Sequence, residues 1–278
     1  MKLVSFSIND GLVRPGALLE DGNLILDLSS GYNDTLEVIS GGVTAPPAGV
    51  AYPSYPLAEV RIHAPLSNPP RIFCIGANYS AHAKETGHAV SEFPVVFLKM
   101  TTAIIGLRDP IVLPANSSEP DYEAELAFVI GHGGFRIPAE DWNRHVYGYT
   151  IVNHVSARDI QRQTSQWSLA KSFPTFCPMG PAIVTADEIP DPHSLDIRLT
   201  IDGEVLQDAS TNQFVFQIPR LVEYISSITP LLPGDIVSTG TPAGVGIGRT
   251  PKRWLRPGET VSITVEGLGS LTNPVVAE

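Results

Sequence analysis

Hydrophobic and polar residues alternate along some stretches of this chain and run together along others, and the two patterns predict different strands. Leu195-Asp196-Ile197-Arg198-Leu199-Thr200-Ile201 and Glu259-Thr260-Val261-Ser262-Ile263-Thr264-Val265 alternate, the period-two signature of half-buried strands. Asp202-Gly203 turns the first of them back into Glu204-Val205-Leu206-Gln207-Asp208, which predicts a hairpin. Residues 71–76, 94–99 and 146–153 are instead nearly unbroken apolar runs, as expected of strands buried on both faces. Near the start, residues 3–8, 14–19 and 24–28 read as short strands separated by turns at Asn9-Asp10-Gly11 and Asp21-Gly22-Asn23. A Pro/Gly-rich connection spans 41–56, and residues 233–238 predict a further strand running into a glycine-rich loop. Helices are expected over 77–85 and over 214–228, where Ile218, Leu221, Val222 and Ile225 recur at helical spacing and Pro219 lies near the beginning. The pattern gives a strand-rich α+β chain with a small β-rich N-terminal unit over 1–65 and a main domain over 66–278.

Composition narrows the partners. With 278 residues and 43% hydrophobic content the chain can fill a sizeable core. A formal net charge of −11 and the lack of a Lys/Arg cluster exclude a nucleic-acid partner, but a local basic pocket can still hold a small anion. The two cysteines, Cys74 and Cys177, lie inside apolar stretches and read as core thiols without a disulfide. No N-terminal apolar leader and no stretch of about 18 apolar residues occurs, so the expectation is a soluble, cytoplasmic protein with no membrane partner.

The candidate chemistry centres on Asp121-Tyr122-Glu123-Ala124-Glu125-Leu126, where two acids at i and i+2 lead into an apolar run. On a strand they share a face, roughly 7 Å apart at Cα. They could therefore be a strand end facing water, or a pair that needs a hard divalent cation. His82 and Glu85 stand at i and i+3 of the first expected helix, either as a surface pair or as a base whose carboxylate orients the imidazole. Polar groups crowd the end of the 146–153 strand from His154 to Gln161, and Lys171, taken alone, reads as a surface lysine.

Taken together, six motifs resemble the fumarylacetoacetate hydrolase family. They are Gly76-x-Asn78-Tyr79-x-x-His82-x-x-Glu85, Phe97-Leu98-Lys99, Asp121-Tyr122-Glu123-x-Glu125-Leu126, Val155-Ser156-Ala157-Arg158-Asp159-x-Gln161, Lys171-Ser172-Phe173 with Cys177-Pro178-x-Gly180-Pro181, and Thr239-Gly240-Thr241-Pro242-Ala243-Gly244-Val245-Gly246. The resemblance implies a mixed β-sandwich or β-roll catalytic domain, a homodimer, and Mg²⁺ or Mn²⁺ at the two glutamates and the residue at 154. It further implies His82 and Glu85 as a water-activating dyad and Lys171 as the cation beside the developing oxyanion. Arg158, Gln161, Tyr79, Thr241 and Gly240 would bind substrate. The expected activity is that of the acylpyruvase-like branch in aromatic catabolism: hydrolysis of a C–C bond in a small anionic β-diketo acid, through a metal-held enolate and His-Glu-activated water. The alternatives are a decarboxylase, hydratase or tautomerase on 2-oxo acids, and, in another class, a non-catalytic binding protein of the same fold.

The sequence departs from the family pattern at two places. His154 stands where the family carries Asp, and Pro174 stands where many relatives carry Asp. Exchanging a carboxylate for neutral imidazole should weaken Mg²⁺ more than Mn²⁺, Fe²⁺ or Zn²⁺. Three outcomes stay open: a softer metal; a protonated or hydrogen-bonded His154 with the metal weak or absent, which would favour proton transfer over hydrolysis; and a pocket that is no longer catalytic.

Overall fold

A computed structural model describes residues 1–9, 11–19, 23–87 and 91–278. The turns expected at Asn9-Asp10-Gly11 and Asp21-Gly22-Asn23 include Asp10, Asp21 and Gly22, which lie outside the described residues.

Among the described residues, the spine of the molecule is a twelve-stranded mixed sheet. Its centre runs in the order Lys2–Ile8, Cys177–Thr185, Val146–Asn153, Ala124–Ile130, Ile236–Ser238, Ile72–Gly76, Val95–Lys99. Ala124–Ile130 and Val146–Asn153 pair antiparallel with Ala124 opposite Asn153, and every residue of both strands is buried. That is the continuous burial expected of apolar runs covered on both faces. Lys2–Ile8 pairs antiparallel with Cys177–Thr185, so the N-terminal strands extend the same sheet. Ser54–Pro56, which composition places in a connection, instead adds a strand against Leu24–Leu26.

A second sheet of five strands has the order Glu204–Ser210, Asp196–Ile201, Thr260–Val265, Gly269–Ala277, Ile111–Leu113. It carries the alternating segments, and Ile197, Leu199, Ile201, Val261, Ile263 and Val265 all turn inward to one core with Leu126, Phe128 and Tyr149 of the large sheet. The expected hairpin closes through Asp202 at φ 51° and Gly203 at φ 86°, two left-handed residues in a row as a tight twisted hairpin requires. The amphipathic helix is Ile218–Ile228, shorter than expected at its start. Gln217 is extended, and Pro219 stands in the first turn, where the missing N–H is not needed. Its apolar stripe, Ile218, Leu221, Val222 and Ile225, packs into the same core. Cys74 and Cys177 are buried free thiols. Among the described residues no helix is long and apolar enough to cross a membrane.

The topology positions the chemistry through strand ends. The strands ending at Asn153 and at Ser238, the one beginning at Ala124 and the one ending at Gly76 are neighbours in the large sheet, and the loops that leave or enter them converge on one cavity.

Candidate active site and metal centre

Glu123 and Glu125 flank the first residue of the central strand and are 3% and 2% exposed, so the reading of solvated acids at a strand end does not hold. The antiparallel register that faces Ala124 with Asn153 brings His154 beside them. The Glu123 backbone N–H donates to Asn153 Oδ1, and the His154 N–H donates to the Glu123 carbonyl at 2.8 Å. His154 Nδ1 lies 3.2 Å from Glu125 Oε1 and 3.8 Å from Glu123 Oε2.

Two acids this close and this dry require compensation. Glu123 has it in cations: Lys171 Nζ donates to both of its oxygens at 3.1 and 3.2 Å, and Arg158 Nη2 lies 2.6 Å from Oε1. Burial alone would raise Glu123, but Lys171 and then Arg158 outweigh it and hold the acid well below the ordinary carboxylate range. Glu125 has neutral partners instead, the Ser238 hydroxyl in a very short bond, the Gly240 N–H at 3.1 Å and His154 Nδ1 at 3.2 Å. Burial, and then the charge of Glu123, push it up to about 7. Gly240 is required here: at φ 96° a side chain would be strained, and a Cβ would fall 2.9 Å from Asn78 Cβ and 3.0 Å from the Ile75 carbonyl oxygen. His154 is driven far below its usual value by burial, with Lys99 and Lys171 adding to the shift, so its imidazole is neutral.

The dyad assembles as its spacing suggests, on the short helix Ser80–Glu85. His82 Nδ1 donates to Glu85 Oε1 at 3.0 Å, and both Glu85 oxygens accept from the Gly244 N–H of the glycine-rich loop at 3.1 and 3.0 Å. His82 lines the cavity and Glu85 stands behind it. A carboxylate on one ring nitrogen fixes the tautomer and leaves Nε2 to exchange a proton.

The cavity, about 330 Å³, is lined by His82, Glu123, Glu125, His154, Arg158, Gln161, Lys171 and Thr241 among others. Eight of the proposed site residues therefore meet in one place, and Glu85 joins through His82. Lys171 is 4% exposed, not on the surface as its local sequence alone suggests. Two residues have other positions. Tyr79 is fully buried with its ring edge-on to Phe214, 5.2 Å between centroids, and does not line the cavity, because the extended residue before the helix points it into the core. Gly240 contributes through its N–H to Glu125 rather than as a cavity wall. Arg158 lines the cavity, but its guanidinium is engaged by Asp121 at 2.8 Å, by Glu123, and by Gln161 Oε1 at 2.9 Å. It thereby braces Glu123 and Gln161.

Sequence reasoning assigned no role to Asp121, Ser156, Ser238, Phe97 or Trp167. Asp121 accepts from Arg158, Gly246 N–H and Ile247 N–H, tying the glycine-rich loop to the acid cluster. Ser156 accepts from Lys171 at 2.9 Å. Asp121 and Ser156 fall inside recognised motifs, which is the signal that could have found them; Trp167 lies outside all of them.

The residues fit a divalent cation. One ligand atom from each of Glu123, Glu125 and His154 lies within 4.8 Å of the others. His154 Nε2 is buried without a hydrogen-bond partner, and two carboxylates with one neutral imidazole form a donor set that suits a divalent cation.

The model of the fumarylacetoacetate (FAA) hydrolase C-terminal domain matches residues 71–276. The chain belongs to the fumarylacetoacetate hydrolase family. It is 43% identical over 289 residues to oxaloacetate tautomerase fahd2, mitochondrial, from Xenopus laevis, covering 99% of this chain and 90% of that one. Among solved structures it is similar to 5-carboxymethyl-2-hydroxymuconate delta-isomerase from Mycobacterium smegmatis, with a TM-score of 0.82, 40% identity and full coverage of both chains. It is also similar to maleylpyruvate hydrolase from Sphingobium sp. SYK-6 in complex with manganese (II) ion and pyruvate, with a TM-score of 0.82, 30% identity and coverage of 100% and 99%. The high similarity over the whole length agrees with the strand-rich mixed fold expected for this family. The relatives correct one expectation. Likeness to an oxaloacetate tautomerase and to a muconate isomerase, at higher identity than to the hydrolase, overturns the C–C hydrolase of the acylpyruvase-like branch. The physical reason is that a His-carboxylate dyad beside a cation moves a proton to or from carbon as readily as it activates water.

Proposed function

We propose that this member of the fumarylacetoacetate hydrolase family is an isomerase that interconverts the keto and enol forms of a small 2-oxo acid, with oxaloacetate the first candidate. The observation that carries this reading is the meeting of the His82–Glu85 dyad and the Lys171 ammonium in one small cavity with the acid cluster. In the keto-to-enol direction the proton on C3 passes to His82 Nε2, the C3–H electrons form the C2–C3 double bond, the C2 oxygen takes up a proton from water, and His82 returns its proton to water, so no net proton is consumed. No bond between heavy atoms breaks. Glu85 keeps the imidazole oriented and stabilises it when charged, while Lys171 places positive charge toward the oxygen that becomes electron-rich. Phe97, Trp167 and Ile247 line the same cavity and limit water around the reacting carbon.

Glu123, Glu125 and His154 would hold a divalent cation, which when bound supplies Lewis-acid polarisation of the substrate oxygens. We assign Mn²⁺ ahead of Mg²⁺ because the third donor is nitrogen. His154→Asp is then expected to raise Mg²⁺ affinity about tenfold in equilibrium dialysis, and an unchanged affinity counts against this ligand set. We place the activity in residues 66–278, with 1–65 as an appended unit, and assign the protein to a homodimer. The edge strand Val95–Lys99 supports the dimer by exposing Val95 and Leu98, with Met100 exposed just beyond its end.

The test is to follow enol-oxaloacetate by its ultraviolet absorbance while assaying pyruvate in the same reaction. Catalysed loss of the enol without matching pyruvate supports the isomerase, and stoichiometric pyruvate from the start rejects it.

A further inference from the structure

We propose that Trp167 sets the length of carbon tail that the cavity admits, a specificity role that rests on the reading of the cavity as a 2-oxo acid site. Trp167 lines the cavity from the segment between the short helix Arg158–Gln161 and the turn Leu169–Lys171. Its indole meets the Phe97 ring edge-on, 5.5 Å between centroids at 80°. Phe97 in turn stacks on His154 at 5.7 Å and 29°, with the Lys171 ammonium 5.5 Å from its ring centre. A continuous aromatic wall therefore begins at the groups that would hold the acid head of a ligand and ends at Trp167.

Gly76 fixes how far that wall reaches. A Cβ at Gly76 would lie 2.7 Å from Trp167 Cζ3, so the indole rests directly against the backbone at the end of the Ile72–Gly76 strand. Any side chain at 76 would push the ring away. An aromatic face selects by volume rather than by hydrogen bonding, and the indole, seated against the backbone at Gly76 and against Phe97, bounds the cavity on that side. A ligand whose carboxylate and 2-oxo oxygens sit by His154 and Lys171 has its third and later carbons directed along Phe97 toward Trp167. Short acids fit, and each further methylene meets the indole.

The experiment measures binding of inert head-group analogues by titration calorimetry with Mn²⁺ present: oxalate, which has no tail, and N-ethyl- and N-butyloxamate, which carry progressively longer ones. Trp167→Ala is expected to leave oxalate affinity within twofold and to tighten N-butyloxamate at least tenfold relative to oxalate, within the 10–200-fold range that pocket volume gives for small apolar groups. Trp167→Phe supplies a smaller shift of the same sign if the alanine variant does not fold. An unchanged oxamate-to-oxalate ratio in folded variants, or a parallel loss of both ligands, overturns the wall while leaving the isomerase reading in place. Failure of the wild-type protein to bind oxalate overturns that reading and the wall with it.

Discussion

Arg198 and Asp208 face each other across the five-stranded sheet at 3.0 Å with 57% and 55% of their side chains exposed, whereas Lys171 and Glu123, at 3.1 Å, are 5% and 4% exposed. The two distances are nearly equal and the consequences are not. In water the attraction is screened and the two long side chains lose freedom to form it, so the pair contributes roughly 0–1 kcal/mol. In the cavity wall neither partner has solvent to fall back on, and removal of one leaves an uncompensated buried charge. The difference follows from the strands beneath. Asp196–Ile201 and Thr260–Val265 alternate and send their polar residues outward, while Ala124–Ile130 and Val146–Asn153 are buried throughout, so any charge at their ends must find a partner inside the protein. Charge in the first region is solvation; in the second it is chemistry.

Lys171→Met should break this contrast most strongly. Glu123 loses its bidentate partner, and urea denaturation is expected to show a loss of about 3 kcal/mol, together with a fall of about 100-fold or more in isomerase turnover. Retention of wild-type stability would mean that Arg158 alone suffices for Glu123.

Lys99→Met tests the same interior from the opposite side. Lys99 is buried with a single observed hydrogen bond, to the Val155 carbonyl at 3.2 Å, and burial brings it down to about 8 from 10.5. A lysine lowered on folding is destabilising below its folded value, and that penalty disappears as pH rises from about 8 toward 10.5. The methionine variant should therefore be more stable than wild type at pH 7 by up to about 3 kcal/mol. The gap should close as denaturation curves are taken through that window, and a gap that is independent of pH would show that Lys99 is not the group responsible.

Arg198→Ala, on the exposed hairpin, should change stability by no more than about 0.5 kcal/mol in the same denaturation assay and leave turnover untouched. A larger loss would remove the distinction between the two regions.

The exposed region was also the more legible one in the sequence. Period-two alternation places Asp196–Ile201 and Thr260–Val265 because one face of each is wet, and Asp202-Gly203 marks the turn because both residues tolerate left-handed backbone. Cys177–Thr185 carries no such signal. Its two prolines and a glycine resemble a loop, and only its place between Lys2–Ile8 and Val146–Asn153 makes it a strand. The candidate site was legible through motifs rather than periodicity, and burial was the missing quantity. Lys171 and Glu123 are separated by 48 residues in sequence, and nothing local reports that they meet in a dry wall. Tyr79 fell in a motif and still turned into the core, because a motif fixes the path of the backbone without fixing the direction of each side chain. Reaction class was the least legible property, since hydrolysis and tautomerisation draw on the same base and the same cation.

The central claim is that His82, held by Glu85, moves a proton at the carbon next to a 2-oxo group. The most direct measurement is the rate of deuterium entry into C3 of a 2-oxo acid in D₂O, followed by proton NMR for the wild-type protein and for His82→Asn. The account predicts enzyme-dependent exchange that falls about 10²- to 10⁴-fold in the variant while oxalate binding persists. Equal exchange rates in the two proteins would contradict it.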